Sequence, residues 1–152
     1  MIAGCRYVHT NLIASDYKAL SRFYCEVFGC VPVPPERHFK GTDLEAGTGI
    51  SGAELSGVHL RLPGFGDNGP TLEIFSYNIL KDKQPVAVNR PGFGHIAFSV
   101  SDVKKGLDDV LAAGGGSVGE IVTLEVQTGA RVTWCYVMDP EGNVMGLWEE
   151  SK

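Results

Sequence analysis

Hydrophobic positions along the chain follow two different spacings, and the two spacings occur in the same order twice. Residues 7–13 form a β-branched and aromatic run that predicts a strand. Apolar residues then recur at the spacing of one buried helix face, at Leu20, Phe23, Tyr24, Val27 and Phe28. Ser15 or Asp16 is suited to begin this helix, and Gly29 is suited to end it. The same succession of strand, cap, helix and glycine begins again at residue 93.

The second half of the chain therefore repeats the first. His9 and His95 occupy the same place in the two patterns, and each is followed seven residues later by an aspartate, Asp16 or Asp102. Each half continues with two further predicted strands, at 57–62 and 70–77 in the first half and at 131–137 and 142–149 in the second. With one further strand of each half left unassigned, this order predicts an α+β fold of two βαβββ modules that form a curved sheet around a central cleft.

The repeat also predicts the domain organisation. Residues 1–152 are expected to form a single domain, with module one at 1–80, a proline-containing linker at 81–91 and module two at 92–152. A module of this length must bury the apolar face of its sheet on a neighbour. Residues 36–53 have two glycine-rich turns and no clear period, and are predicted to be an insertion that forms a mobile flap or a short helix.

Charge and cysteine content exclude several classes of protein. The net charge is -5, without the basic stripe that nucleic acids or anionic membranes attract. The chain contains no apolar run of the roughly 20 residues that a membrane span requires. Its amino terminus lacks the layout of a signal peptide, and its four cysteines show neither a CxxC pair nor zinc-ligand spacing. We therefore expect a cytoplasmic protein with reduced thiols.

Three residues on predicted strands have the chemistry of metal ligands. His9 and His95 are related by the repeat, and Glu73 lies in the middle of a strand, where an unpaired carboxylate would be costly to bury. Two imidazoles and one carboxylate suit a divalent metal ion and leave coordination positions open. An internal salt-bridge network explains the same residues, and the spacing does not choose between the two.

Five short motifs in this order resemble the vicinal-oxygen-chelate superfamily, which includes glyoxalase I, methylmalonyl-CoA epimerase, extradiol dioxygenases and bleomycin-binding proteins. The chain is most similar to the metal-dependent glyoxalase I and epimerase-like members. The motifs are His9, Phe23-Tyr24 with Phe28-Gly29, Leu72-Glu73-Ile74, Gly94-His95-Ile96-Ala97-Phe98 and Asp139-Pro140-Glu141-Gly142-Asn143.

The resemblance implies one divalent metal ion bound by His9, Glu73 and His95, and the donor set does not distinguish Zn, Ni, Mn, Co or Fe. The fourth ligand of the family, a glutamate, falls on Gly146. Glu149 has the wrong strand parity to replace it. Glu150 has the correct parity but lies about 13 Å further along the strand, so that only a bulge would bring it to this position. We therefore expect a three-ligand site in which Glu73 is the catalytic base.

Further residues are candidates for substrate binding. Asn11 shares the strand face of His9, and Ser99 shares that of His95. His59 and Arg61 share a face on the third strand, although a solvent-facing strand explains this pair equally well. An apolar or stacking wall is expected from Phe75, Tyr77 and Trp148, although core packing explains aromatic residues more often.

These features favour a metal-dependent lyase or isomerase that chelates neighbouring oxygens of a small substrate and stabilises an enediolate-like intermediate. The alternative is a non-catalytic protein that binds an antibiotic or metabolite in the same cleft. Retention of three ligands favours the enzyme, and the missing fourth ligand favours the binding protein. Oxygen chemistry at Fe(II) ranks last, because the metal-binding triad of the related dioxygenases lies within one module. A homodimer is expected, since dimers are common among relatives.

Overall fold

The computed structural model describes residues 2–127 and 129–151. The chain divides into two compact units, one ending at Asp82 and the other beginning at Lys83. Each unit contains one four-stranded sheet.

The first unit has six elements in chain order: β1 (His9–Ile13), α1 (Tyr17–Phe28), β2 (Val31–Lys40), α2 (Thr42–Thr48), β3 (Glu54–Arg61) and β4 (Thr71–Tyr77). Its strands are ordered β1-β4-β3-β2. The β1–β4 pair is parallel, and the other two pairs are antiparallel.

The second unit repeats this plan, but among its described residues no helix corresponds to α2. Its elements are β5 (Ile96–Ser99), α3 (Val103–Ala112), β6 (Gly116–Glu125), β7 (Arg131–Met138) and β8 (Val144–Ser151), with the strand order β5-β8-β7-β6. Again the first strand pairs in parallel with the last. The predicted α+β fold of two βαβββ modules is confirmed.

Helix boundaries follow the capping residues. The Asp16 carboxylate accepts hydrogen bonds from the backbone amides of Lys18 and Ala19, so Asp16 rather than Ser15 begins α1. Gly29 ends α1 in the left-handed conformation, with φ 68°. Asp102 begins α3 in the same way as Asp16 begins α1, by accepting from the backbone amide of Lys105.

In each unit the main helix covers one face of the sheet. Helix α1 packs against β3 and β4, and α3 packs against β6, β7 and β8. The side chains buried in the first unit include Leu20, Tyr24, Leu60, Leu72 and Ile74, and those in the second include Val103, Val110, Val137, Met145 and Leu147. Because strand side chains alternate between faces, the intervening residues of β3, β4, β7 and β8 lie on the face away from the helix.

The prediction of an insertion at residues 36–53 is wrong in part. Residues 36–40 complete β2, whereas Thr42–Thr48 form the short helix α2 that was one of the two predicted forms. The sequence of β2 obscures the strand because it contains three prolines, Pro32, Pro34 and Pro35. Proline is tolerated here because β2 is an edge strand, and its pairing with β3 shifts register between Val33 and Arg37.

Residues 81–91, the predicted linker, contain neither helix nor strand. All four cysteines lie in the described part of the chain, and each is a free thiol. Within residues 2–127 and 129–151, no helix is long and apolar enough to cross a membrane.

Candidate functional site

Glu73 lies in the middle of β4 and is 8% exposed. Its neighbours Leu72 and Ile74 are fully buried in the core of the first unit, so the Glu73 side chain lies on the sheet face opposite α1. The residues beside it in the sheet are Asn11 on β1 and His59 on β3. A central strand and its two neighbours thus place polar side chains around a buried carboxylate.

Three side chains contact this carboxylate. His9 Nδ1 lies 3.2 Å from Glu73 Oε1, and His59 Nε2 lies 3.1 Å from the same oxygen. Asn11 Nδ2 donates to the other oxygen, Oε2, at 3.4 Å. Such donors offset the cost of removing a carboxylate from water. Of the residues predicted for the site, the first unit therefore brings together His9, Asn11, His59 and Glu73; the direct contact between His59 and Glu73 was not foreseen.

Burial lowers the pKa of His59, and the nearby Arg37 and His9 act in the same direction, while Glu73 opposes them. His59 is therefore neutral at neutral pH. A neutral imidazole has one N–H, and hydrogen bonding to a carboxylate oxygen requires that this N–H be on Nε2. His59 thus donates to Glu73 Oε1 and helps to hold the orientation of the carboxyl group.

Arg61, another predicted substrate-binding residue, lies two residues after His59 on β3 and on the same face of the sheet. Arg61 Nη1 forms an ion pair with the exposed Asp67 at 2.9 Å. Within the described chain, Arg61 Nε is buried and has no hydrogen-bond partner. Arg61 is thus held mainly by a surface carboxylate and does not contact Glu73 directly.

The predicted aromatic wall of the first unit is formed in part. The Phe75 ring lies 5.8 Å from the His59 ring in an edge-to-face arrangement. It occupies the space over Gly57, where an added Cβ would lie 2.0 Å from a ring carbon of Phe75. Tyr77, two residues further along β4, is half-buried and pairs in register with Leu55. Because strand side chains alternate between the two faces, Phe75 and Tyr77 lie on the same face of β4 as Glu73.

One distance in the first unit can be compared with the separation of two ligand atoms on a metal ion. Two ligand atoms bound to one ion at about 2.1 Å are separated by about 3.0–3.4 Å, depending on coordination geometry. The His9 Nδ1–Glu73 Oε1 distance of 3.2 Å falls in this range. Over residues 2–127 and 129–151, however, no group of three or more His, Cys, Asp or Glu side chains is arranged to hold a metal ion. His95 belongs to the second unit, and its role as a ligand stays a prediction.

Gly146 is the structural counterpart of Glu73. Glu73 pairs with Asn11 across the parallel β1–β4 ladder, and Gly146 pairs with Ala97 across the equivalent β5–β8 ladder. A Cβ added to Gly146 would lie 3.5 Å from His95 Nε2 and 3.3 Å from the Ala97 Cβ. Position 146 therefore faces the imidazole of His95, as position 73 faces that of His9.

The missing side chain at Gly146 coincides with a cavity of about 240 Å³ in the second unit. The lining residues come from β5, β7, β8 and the residue directly before β5, and they are His95, Ala97, Trp134, Tyr136, Gly146, Leu147 and Trp148. We call this cavity the Gly146 pocket. The Tyr136 ring contacts His95 edge-to-face at 4.9 Å and Trp134 at 5.1 Å.

Trp148, a predicted wall residue, lines this pocket and is 43% exposed. Ser99 lies beside Trp148 in the strand register and is exposed. Trp134 and Tyr136 were not predicted to be functional. The sequence signal was limited to two aromatic residues at alternate positions of one predicted strand, and the pairing of Tyr136 with Gly146 comes from the structure.

Neither of the two glutamates near Gly146 replaces the missing ligand. Glu149 Oε2 accepts a hydrogen bond from the Val103 amide at 2.9 Å, so it lies on the helix side of the sheet and stabilises the start of α3. Glu150 is exposed and pairs with Val132 further along β8. The Asp139 motif is also structural, since the Asp139 carboxylate accepts from the backbone amides of Glu141 and Asn143 and shapes the turn that leads into β8.

Comparison with known proteins agrees with this fold. The sequence profile of the Glyoxalase/Bleomycin resistance protein/Dioxygenase superfamily matches residues 6–147. No curated protein matches the sequence significantly. Among solved structures, a glyoxalase family protein from Bacillus cereus is similar with a TM-score of 0.77 at 20% identity, over 100% of this chain and 97% of that chain.

Two other similar structures have related names. A glyoxalase family protein from Enterococcus faecalis has a TM-score of 0.64 at 22% identity, over 97% of this chain and 100% of that one. The trypanothione-dependent glyoxalase I of Leishmania major has a TM-score of 0.62 at 22% identity, over 96% of this chain and 87% of that one. At these identities the structures support the fold, and the profile match establishes the family. The chain belongs to the glyoxalase/bleomycin resistance protein/dioxygenase superfamily.

Proposed function

We propose that the protein is a metal-dependent enzyme of the lyase or isomerase type, acting on a small substrate that presents two neighbouring oxygens. The observation that carries this proposal is the buried Glu73 carboxylate, with two imidazoles within 3.2 Å of one of its oxygens. Buried carboxylates grouped with histidines are frequent at functional sites, although structural ion-pair networks produce the same grouping.

His9 and Glu73 are the proposed metal ligands of the first unit, and His95 is the proposed ligand of the second. Imidazole nitrogen and carboxylate oxygen suit several divalent ions, so the donor set leaves the metal open. A bound divalent ion would supply the positive charge that stabilises an enediolate-like species when a proton leaves the carbon next to the two substrate oxygens.

Glu73 is the residue we assign as general base. Its Oε1 is contacted by His9 and His59, whereas the Asn11 contact to Oε2 is the longest of the three at 3.4 Å. Oε2 is therefore the oxygen that we assign to accept the substrate proton. His59, neutral and donating through Nε2, keeps the carboxyl group in place during this transfer.

A second candidate function is a binding protein without chemistry. The observation that favours it is the Gly146 pocket, where a cavity with aromatic walls takes the place of the carboxylate expected from the repeat. A protein of this kind would sequester an antibiotic or metabolite, and would need neither a metal ion nor a general base.

The metal content of protein purified without chelators separates the two functions. The enzyme is expected to contain close to one divalent ion per chain by elemental analysis, and His9→Ala and Glu73→Gln are expected to lose it. His38→Ala is the matched control, because His38 lies on β2 of the same unit and hydrogen-bonds Ser56 rather than Glu73. Protein that is metal-free and does not bind Ni²⁺, Zn²⁺ or Mn²⁺ would exclude the metal-dependent enzyme.

Proton abstraction is tested by exchange in D₂O. The metal-loaded protein is expected to catalyse deuterium incorporation next to the carbonyl in some members of a panel of 2-hydroxycarbonyl compounds. Glu73→Gln is expected to reduce the rate by about 10²-fold or more, because the variant loses both a proposed metal ligand and the group that accepts the proton. An unchanged exchange rate in this variant would assign the base to another residue.

We further propose that the protein is a cytoplasmic homodimer. The four free cysteines support a reducing compartment. Exposed apolar side chains, among them Phe39 and Leu124, support an interface that the single chain leaves uncovered. Sedimentation velocity is expected to give twice the mass of one chain, and cell fractionation tests the compartment.

A further inference from the structure

The two tryptophans of the chain, Trp134 and Trp148, line the same cavity beside Gly146. We propose that the Gly146 pocket binds a planar, uncharged aromatic ring of the ligand. The inference goes beyond the proposed function, since every residue that lines the pocket belongs to the second unit and binding of the ring does not require a metal ion. If the protein is the proposed enzyme, its substrate carries an aromatic group in addition to the two neighbouring oxygens.

Space for the ring depends on the glycine. A Cβ at position 146 would already lie 3.4 Å from a carbon of the His95 ring and 3.3 Å from the Ala97 Cβ. Any longer side chain here would extend into the pocket from its floor. Ala97 adds little volume on the neighbouring strand, so two small residues adjoin in the β5–β8 ladder where bulkier ones would fill the space.

The walls favour an aromatic occupant. Tyr136 contacts both His95 and Trp134 edge-to-face, which holds these three rings in fixed orientations. Trp148 is 43% exposed, and covering its apolar surface would favour binding. Among the described residues that line the pocket, none is Asp, Glu, Lys or Arg, so no formal charge of that kind is available to pair with a charged ligand group.

The volume sets the size of the group. A cavity of about 150 Å³ accommodates benzene, and pockets for drug-sized ligands measure about 300–1,000 Å³. The Gly146 pocket, at about 240 Å³, lies between the two. It therefore fits one ring or two fused rings, and the remainder of a larger ligand would extend out of it.

The test uses 2-naphthol and its saturated analogue decahydro-2-naphthol, which differ in planarity and aromaticity but carry the same hydroxyl group. Because the chain has two tryptophans and both line the pocket, both indole N–H resonances in a ¹H–¹⁵N spectrum report on it. We expect 2-naphthol to shift both resonances in a saturable manner, and to bind at least about fivefold more tightly than the saturated alcohol. Equal binding of the two compounds, or no shift, would overturn the proposal.

Variants separate this inference from the proposed metal site. Gly146→Leu is expected to weaken 2-naphthol binding by at least about tenfold, and Ala97→Leu, at an exposed position, provides a second way to fill the same space. His9→Ala in the first unit is the control and is expected to bind 2-naphthol unchanged while losing metal. Unaltered binding in both leucine variants would place the ring elsewhere. Failure of the metal proposal would leave the naphthol result standing, and failure of naphthol binding would leave the metal result standing.

Discussion

Glu73 and Gly146 occupy equivalent positions in the two units, and one supplies a buried carboxylate where the other supplies no side chain. The equivalence rests on strand register, because Asn11 pairs with Glu73 and Ala97 pairs with Gly146. In the first unit the carboxylate binds two histidines, and in the second unit the corresponding space is a cavity next to His95. The same fold therefore presents a polar cluster in one half and an aromatic pocket in the other.

Replacing Gly146 by glutamate is expected to tighten divalent metal binding by about tenfold or more. The new side chain would begin 3.5 Å from His95 Nε2 and would supply the carboxylate that the repeat lacks. Competition against a metal-binding dye measures the affinity. The same variant is expected to lose binding of 2-naphthol, because its side chain fills the Gly146 pocket.

Gly47→Glu is the control for this change, since it adds the same charge at a position with no atoms near the added Cβ and no positive φ. Its metal affinity is expected to remain that of the parent. If Gly146→Glu and Gly47→Glu bind metal equally well, residue 146 does not face the ion.

Removing the hydrogen bond from His59 is expected to weaken metal binding by about 10–100-fold, because groups that orient a ligand affect affinity nearly as strongly as the ligands themselves. His59→Leu removes the Nε2–H donor to Glu73, whereas His59→Gln keeps an N–H donor in the same region. Dye competition is expected to show a large loss for the leucine variant and a smaller one for glutamine. Equal losses would mean that the ring itself, and not the donated hydrogen bond, is required.

Glu149→Ala is expected to reduce the free energy of unfolding by about 1 kcal/mol, the usual cost of losing a side-chain acceptor at a helix N-terminus. The Glu149 carboxylate accepts from the Val103 amide at the start of α3. Glu150→Ala, one residue away and exposed, is expected to change stability by less than about 0.5 kcal/mol. Urea denaturation of the two variants makes the comparison, and equal effects would contradict the assigned role.

The contribution of Tyr17 to stability is expected to disappear at high pH. Burial raises the pKa of Tyr17 to about 12, and its hydrogen bond to Glu36 acts in the same direction. A raised pKa in the folded state means that folding favours the neutral phenol. The stabilisation is therefore complete below the ordinary pKa of 10.0 and is lost as the pH rises towards about 12.

The comparison of wild type with Tyr17→Phe isolates this effect from the other four tyrosines. The difference in unfolding free energy between the two proteins is expected to shrink between pH 10 and about pH 12. A difference that is constant with pH would show that the phenol titrates normally.

The four cysteines are expected to react with a thiol reagent at very different rates. Cys5 is exposed, whereas burial raises the pKa of Cys30 to about 12 and also raises that of Cys135. At neutral pH the reactive thiolate is therefore scarce at the two buried positions. Mass spectrometry is expected to find rapid labelling at Cys5, and labelling of Cys30 and Cys135 only when the protein unfolds. Rapid labelling of all sites in folded protein would contradict this order.

Local patterns predicted most of the fold correctly. The spacing of apolar residues defined the two main helices, and the caps Asp16 and Gly29 act as expected. The strand β2 was hidden because its prolines break the usual strand signature, and only its place at the edge of the sheet makes them acceptable. Edge position depends on the complete sheet and cannot be read from ten residues.

The candidate site was predicted less completely, for a similar reason. Glu73 stood out because a carboxylate interrupts an apolar strand, and the repeat marked Gly146 as its counterpart. The contact between His59 and Glu73 depends on the register of β3 against β4, which the turn between them sets. Trp134 and Tyr136 looked like ordinary strand aromatics until the register of β7 against β8 placed Tyr136 opposite Gly146.

The strand order described for the two sheets has a consequence for synthesis on the ribosome. Every strand of the first sheet pairs within residues 9–77, and every strand of the second within residues 96–151. No strand is exchanged between the sheets among the described residues. All pairing partners of the first sheet, including the histidines and the carboxylate that it brings together, are thus present in the nascent chain before the strand that follows His95 has been translated.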